Sequence, residues 1–124
     1  MNISEVKILI VDDEVDLADL VAESFIMEGF NVTKALSGDE ALLLCQKEKF
    51  DVIFSDNHMP GLCGIDLLKK LKSHYESDFL FYLCSGDIRM DIDAFKADGG
   101  EDIIPKPYDL FSVMDKIKLD LEKI

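Results

Sequence analysis

The sequence is short of basic residues, histidine and cysteine, and it holds no long apolar run. Lysine and arginine number 13 against 26 aspartates and glutamates, a formal net charge of -13. A polyphosphate backbone is held mainly by Lys and Arg displacing counterions, so this balance argues against direct nucleic-acid binding. The three cysteines, Cys45, Cys63 and Cys84, lack CxxC or metal-ligand spacing, which excludes a disulfide framework and fits a reducing cytoplasm. The two histidines, His58 and His74, show no paired spacing for a zinc site. The first five residues are too polar for a signal peptide and no stretch approaches a membrane span, so a cytoplasmic protein without membrane contact is expected. The glycine-bearing turns at Gly61 to Gly64 and Asp98 to Gly100 match neither a P-loop nor a GxGxxG fingerprint. Ser85 has no GxSxG elbow and no histidine placed to activate it, which disfavours serine hydrolase chemistry. Linkers and low-complexity segments are missing too, so the 124 residues, 48% hydrophobic and 31% charged, read as one globular domain over 1–124.

What is present is organised around Phe50 to Gly64. Val52, Ile53 and Phe54 form an uninterrupted apolar run, the composition of a strand buried on both faces of a parallel sheet. Asp56, two residues beyond that run, is expected at the carboxyl edge of the sheet, where open α/β folds place their ligand sites. Met59, Pro60 and Gly61 then turn the chain.

The same alternation repeats on either side. Val6 to Val11 reads as a strand ending at Asp12, Asp13 and Glu14, followed by a helix with Leu17, Leu20, Val21 and Phe25 on its apolar stripe and Gly29 as its stop. Phe30 to Ala35 is a shorter strand, and Ser37 to Glu40 matches the capping box that opens a helix through Ala41, Leu42 and Cys45. Gly64 opens a helix with Ile65, Leu68 and Leu71 inward and Lys69, Lys70 and Lys72 in water. Phe79 to Cys84 is a strongly apolar strand, and Ile88 to Ala97 is expected to form a polar helix closed by Gly99 and Gly100. Asp102 to Ile104 is a short strand ended by Pro105, and Leu110, Val113, Met114, Ile117 and Leu121 mark a last amphipathic helix. Five strand-helix pairs with short connections predict a doubly wound α/β sandwich.

Each apolar strand ends on a residue able to do chemistry, and those ends meet at one edge: Asp12 and Asp13, Asp56, Ser85 and Lys106. Crowded carboxylates repel one another unless a cation neutralises them. Mg²⁺ suits such a group, because it takes one or two carboxylates, water and a phosphate oxygen. Taken alone, the acidic pair equally reads as a solvated helix-start cluster, Ser85 as a turn residue, and Lys106 as the partner of a structural ion pair. His58 reads as an exposed imidazole whose backbone carbonyl matters more than its ring.

In combination these motifs resemble the response-regulator receiver domain of two-component signalling over essentially the whole chain. The matching pieces are LIVDDE at Leu9 to Glu14, FSDNHMPGLCG at Phe54 to Gly64, LCSG at Leu83 to Gly86 and PKPY at Pro105 to Tyr108. The resemblance implies a flavodoxin-like (βα)5 sandwich with a five-stranded parallel sheet of order 2-1-3-4-5. It implies Asp56 as phospho-acceptor, with Lys106 and Ser85 holding the phosphoryl oxygens. It also implies Mg²⁺ on Asp12, Asp13, Asp56 and the backbone carbonyl of His58, and a cis Lys106–Pro107 peptide. The implied donor is a histidine kinase or phosphotransfer protein. Phosphorylation would alter the face built from the Ile88 to Ala97 helix, the strand at Asp102 and the last helix, for an unknown downstream protein target or a phosphorylation-dependent homodimer. Such a protein is a switch that phosphorylates and slowly dephosphorylates itself, rather than an enzyme. The alternatives are an interaction or dimerisation module that works without phosphorylation and an aspartate-nucleophile phosphatase. The first would have lost Asp56, the acidic pair or Lys106, and the second would carry an acid where His58 stands. One departure is notable: Ile103 occupies a position where many receivers have Tyr or Phe.

Overall fold

A computed structural model describes residues 2–74, 78–87 and 89–123. Strands and helices alternate: β1 Lys7–Val11, α1 Val15–Glu28, β2 Asn31–Ala35, α2 Gly38–Lys47, β3 Val52–Asp56, α3 Gly64–His74, β4 Leu80–Ser85, α4 Ile92–Ala97, β5 Asp102–Pro105 and α5 Leu110–Glu122. All strand pairs are parallel, in the order β2-β1-β3-β4-β5. β3 is buried at every position, as its continuous apolar run requires of a central parallel strand.

The sheet divides the core into two. On one face α1 and α5 bring Val21, Phe25, Val113, Met114 and Ile117 against Ile8, Ile10, Phe54 and Tyr82. On the other, α2, α3 and α4 bring Ala41, Leu67, Leu68, Leu71 and Phe95 against Leu9, Ile53, Phe81 and Leu83. The first face contains a polar clasp. The Tyr82 hydroxyl donates to Asp120 Oδ2 at 2.6 Å, and Lys116 meets both Asp120 and Asp102 at 3.2 Å. Burial, and next the bond to Asp120, push the Tyr82 phenol well above its ordinary value, so it stays a donor.

Several boundaries differ from the sequence expectation. The helix expected from Ile88 starts at Ile92, because the Asp91 side chain accepts from the N–H groups of Asp93 and Ala94 and so sets the N-cap; Ile88 itself lies outside the described residues. Leu20 is 59% exposed, and Ala18 and Ala22 are buried instead. Leu20 lies about 100° around the helix from Val21, off a stripe centred on Ala18, Val21, Ala22 and Phe25. In α3 it is Leu67, with Leu68 and Leu71, that is fully buried, while Ile65 packs at the rim. β5 continues through Pro105, which pairs with Ser85; β5 is an edge strand, so the missing proline donor costs no ladder bond. Ser37 caps α2 through its bond from the Glu40 N–H, as the sequence pattern implied.

The clasp is open to test. Tyr82→Phe removes a phenolic donor to a carboxylate that is 6% exposed, and urea unfolding is expected to show a loss of about 1–3 kcal/mol. An unchanged midpoint would show that Lys116 alone satisfies Asp120.

Candidate functional site

Strands β1, β3, β4 and β5 are neighbours in the sheet, so their carboxyl ends stand side by side. Asp12 follows β1, Asp56 is the last residue of β3, Ser85 is the last residue of β4, and Lys106 follows β5. The strand-end residues picked out from sequence are therefore brought together at one edge. Asp12 is anchored by its N–H to the Ala35 carbonyl at 3.1 Å and by its Oδ1, which accepts from the Glu14 N–H at 2.9 Å. Asp56 is held in the ladder opposite Cys84, and the next N–H, of Asn57, donates to the Cys84 carbonyl at 3.0 Å.

The electrostatics are concentrated and poorly compensated. Asp12 and Asp56 are buried, Asp13 is exposed, and carboxylate oxygens of all three lie within 4.8 Å of one another. The Lys106 ammonium meets Asp56 Oδ1 at 2.7 Å. That oxygen is buried, and among the described residues it has no donor besides the ammonium. Burial pulls the lysine down, but the Asp56 contact, with a smaller contribution from Asp12, outweighs this and holds Lys106 above its ordinary value as a cation. Burial is also the main cause that raises Asp12, the Asp56 charge adding to it and the Glu14 backbone bond opposing it. One positive charge thus faces three carboxylates. The donor set is all hard oxygen, three carboxylates within 4.8 Å of one another against a single ammonium, which fits a divalent cation of the Mg²⁺ type.

Ser85 is 2% exposed, and its Oγ accepts from the Asp87 N–H at 3.0 Å, which leaves the hydroxyl proton free to donate elsewhere. The Lys106–Pro107 peptide is cis. His58 sits two residues beyond Asp56 with an exposed ring that forms no ion pair among the described residues, and Asp87 pairs with Arg89 instead. The loop after Asp56 is pinned by Asn57, whose side chain accepts from the Ile65 N–H at 3.3 Å and whose carbonyl accepts from the Gly64 N–H at 3.2 Å. A Cβ on Gly64 would lie 2.8 Å from the Asp56 carbonyl, so only glycine allows α3 to start this close to the site. Asn57 and Gly64 were not expected as supports of the site, because the pairing that needs them spans the loop rather than adjacent residues. Cys84 is an inert neighbour, its thiol pushed up to about 12 chiefly by burial.

Comparison with known proteins agrees with this geometry. The family model described as the response regulator receiver domain matches residues 8–118. Sporulation initiation phosphotransferase F of Bacillus subtilis is 34% identical over 113 residues, 90% of this chain and 90% of that protein. The transcriptional regulatory protein CpxR of Escherichia coli is 33% identical over 117 residues, 94% of this chain and 50% of that protein. The chain thus spans about half the length of several curated relatives that it matches. Among solved structures, the receiver domain of the Francisella response regulator 1452 superposes with a TM-score of 0.85 at 28% identity, covering 93% of this chain and 95% of that one. Phosphoryl acceptance is the general function of receiver domains, which are signalling switches and generally bind Mg²⁺ at an acidic pocket. With four strand ends, an acidic cluster and a lysine gathered at one sheet edge, and with the family model matched over most of its length, the chain belongs to the response regulator receiver domains of two-component systems.

Proposed function

We propose that Asp56 accepts a phosphoryl group from the phosphohistidine of a histidine kinase or phosphotransfer protein. The observation that carries this reading is the buried Asp56 carboxylate, set among two further aspartates and the Lys106 ammonium. In the reaction an Asp56 oxygen attacks phosphorus, the P–N bond breaks, and its electron pair leaves with the imidazole. Lys106 shifts its charge from Asp56 to an equatorial phosphoryl oxygen, and the free Ser85 hydroxyl proton donates to another. Asp12, Asp13, Asp56 and the His58 backbone carbonyl would hold Mg²⁺. When bound, that ion supplies positive charge to the phosphoryl oxygens and relieves repulsion among the carboxylates. Hydrolysis of the acyl phosphate resets the protein.

The phosphorylated state acts by altering the face built from α4, β5 and α5, which would meet a protein target or a second copy of the chain. α4 suits this role, since Phe95 is its only buried side chain. The net charge of -13 supports a protein partner over nucleic acid. The family match over residues 8–118 supports reading 1–124 as one receiver, which would act in the cytoplasm.

Incubation with acetyl phosphate and Mg²⁺, with the adduct mapped by mass spectrometry, is expected to label Asp56 alone. Asp56→Asn should abolish the label and a chelator should suppress it; full labelling of the variant, or indifference to chelator, rejects the proposal.

The acidic cluster makes a second prediction through Asp12. Its folded pKa lies above the ordinary value of 3.8, so its charge costs stability above that range, and the cost fades as pH falls toward 3.8. Asp12→Asn, which keeps the oxygen that accepts from Glu14, is expected to raise the metal-free Tm by a few degrees at pH 7.5 and by much less near pH 4. Added Mg²⁺ should raise the Tm of the wild type and leave the variant almost unmoved. A variant less stable than wild type at pH 7.5 without metal contradicts the sign.

A further inference from the structure

The segment that joins β2 to α2 touches both halves of the acidic site. At its start the Ala35 carbonyl accepts from the Asp12 N–H at 3.1 Å. At its end Gly38, the first residue of α2, is buried against Leu62 in the loop that follows Asp56. A Cβ on Gly38 would lie 2.4 Å from the Leu62 carbonyl oxygen and 2.9 Å from the Leu62 Cβ. Residues 35–38 therefore form a strut, with the Asp12 arm of the site at one end and the Asp56 loop at the other.

Neither end moves freely. Ala35 sits in the ladder beside Val11, and Ser37 caps α2 through its bond from the Glu40 N–H at 3.0 Å. Fully buried Ala41 seats the helix on the sheet. On the loop side, the Asn57 N–H is bonded to Cys84, and the Asn57 carbonyl and side chain receive the N–H groups of Gly64 and Ile65. Met59 is 8% exposed and belongs to the core of the same face. The stretch from there to Leu62 is short and holds Pro60, whose ring locks φ, and Gly61, whose φ is 77°.

A methyl group at position 38 would have to open the contact from 2.4 Å to 3.0 Å or beyond, the least that a Cβ keeps from such an oxygen. If the loop yields, the movement is blocked at Gly64, already packed against Leu83 and the Asp56 carbonyl, and passes back toward His58. If the strut yields, it draws on the Asp12 N–H. Both routes change the spacing between Asp12 and the loop after Asp56. Mg²⁺ demands near-ideal octahedral geometry with short bonds, whereas Ca²⁺ accepts a range of distances and ligand numbers.

We infer that Gly38 is a positioning residue for the cation site: with no side chain there, α2 fixes the distance between the Asp12 arm and the loop that carries the His58 carbonyl, and so fits the site to Mg²⁺ over a larger ion. The inference rests on the proposed cation site at Asp12, Asp13, Asp56 and the His58 carbonyl, so binding by the wild type is measured alongside it.

The test is calorimetric titration with Mg²⁺ and with Ca²⁺, at a temperature where circular dichroism shows each protein folded. Gly38→Ala is expected to weaken Mg²⁺ binding by about tenfold or more and Ca²⁺ binding by about threefold at most. Leu62→Gly removes the same contact from the loop side without a clash, and it should shift the ratio of the two affinities in the same direction. Ser37→Ala loses the bond from Glu40 but keeps the contact, so it should lower the Tm by a few degrees and leave both affinities within about twofold of wild type. Three results overturn the positioning role: Mg²⁺ affinity almost unchanged in folded Gly38→Ala, an equal loss for the two ions, or an equal loss in Ser37→Ala. If Gly38→Ala does not fold, an unchanged ratio in Leu62→Gly overturns it. A wild type that binds no Mg²⁺ overturns the cation-site reading and this inference with it.

Discussion

The contact between Lys106 and Asp56 governs this structure, because it places the one cation of the site against the most deeply set of three carboxylates. Those carboxylates are crowded by the fold itself. Parallel pairing of β1 with β3 leaves Asp12 and Asp56 at adjacent strand ends, and no rearrangement of loops can separate them without breaking the ladder. The sheet is therefore built with an excess of negative charge at one edge. Lys106 relieves part of it, and the Glu14 backbone N–H relieves a little more at Asp12. What remains is a local demand for positive charge, and it is the physical reason that the site suits a divalent ion and a transferable anionic group together.

Most of this was legible in the sequence, for a specific reason. A parallel strand buried on both faces cannot carry polar residues, so each polar residue that ends an apolar run marks a sheet edge. Asp12, Asp56, Ser85 and Lys106 all stand out in that way. The strand order needed the resemblance, since composition does not say which strands are neighbours. The start of α4 was not legible, because Asp87, Asp91 and Asp93 are all able to cap a helix and only the folded chain selects Asp91. Leu20 misled for a related reason: leucine at helical spacing does not say which of two adjacent stripes the helix buries. The Tyr82 to Asp120 bond spans 38 positions, a separation at which sequence carries no pairing signal.

The two faces of the sheet differ in cohesion. On the α1 and α5 face, Phe25, Phe30, Phe54 and Tyr108 form a chain of ring contacts, and the Tyr82 clasp ties α5 to the two outermost strands on that side. On the other, α4 adds one buried phenylalanine, whose ring lies against Phe81 at 6.3 Å and so close to Gly100 that a Cβ there would fall within 2.2 Å of it. A single ring seated against a glycine holds the helix at one point and leaves both flanks open.

The asymmetry reaches the site itself, where Ser85 and Lys106 stand at the ends of neighbouring strands. The lysine and the serine flank the same carboxylate but belong to different mechanical neighbourhoods. Lys106 is two residues from Tyr108, whose ring stands edge-on to Phe54 on the α1 and α5 face. Ser85 lies on the α4 side of the site, its Oγ accepting from the Asp87 N–H ahead of the Asp91 cap. Lys106 therefore stands where the two faces meet, lining the space beside Ser85 and Ile103 on one side and a larger one beside Leu17, Tyr108 and Leu110 on the other.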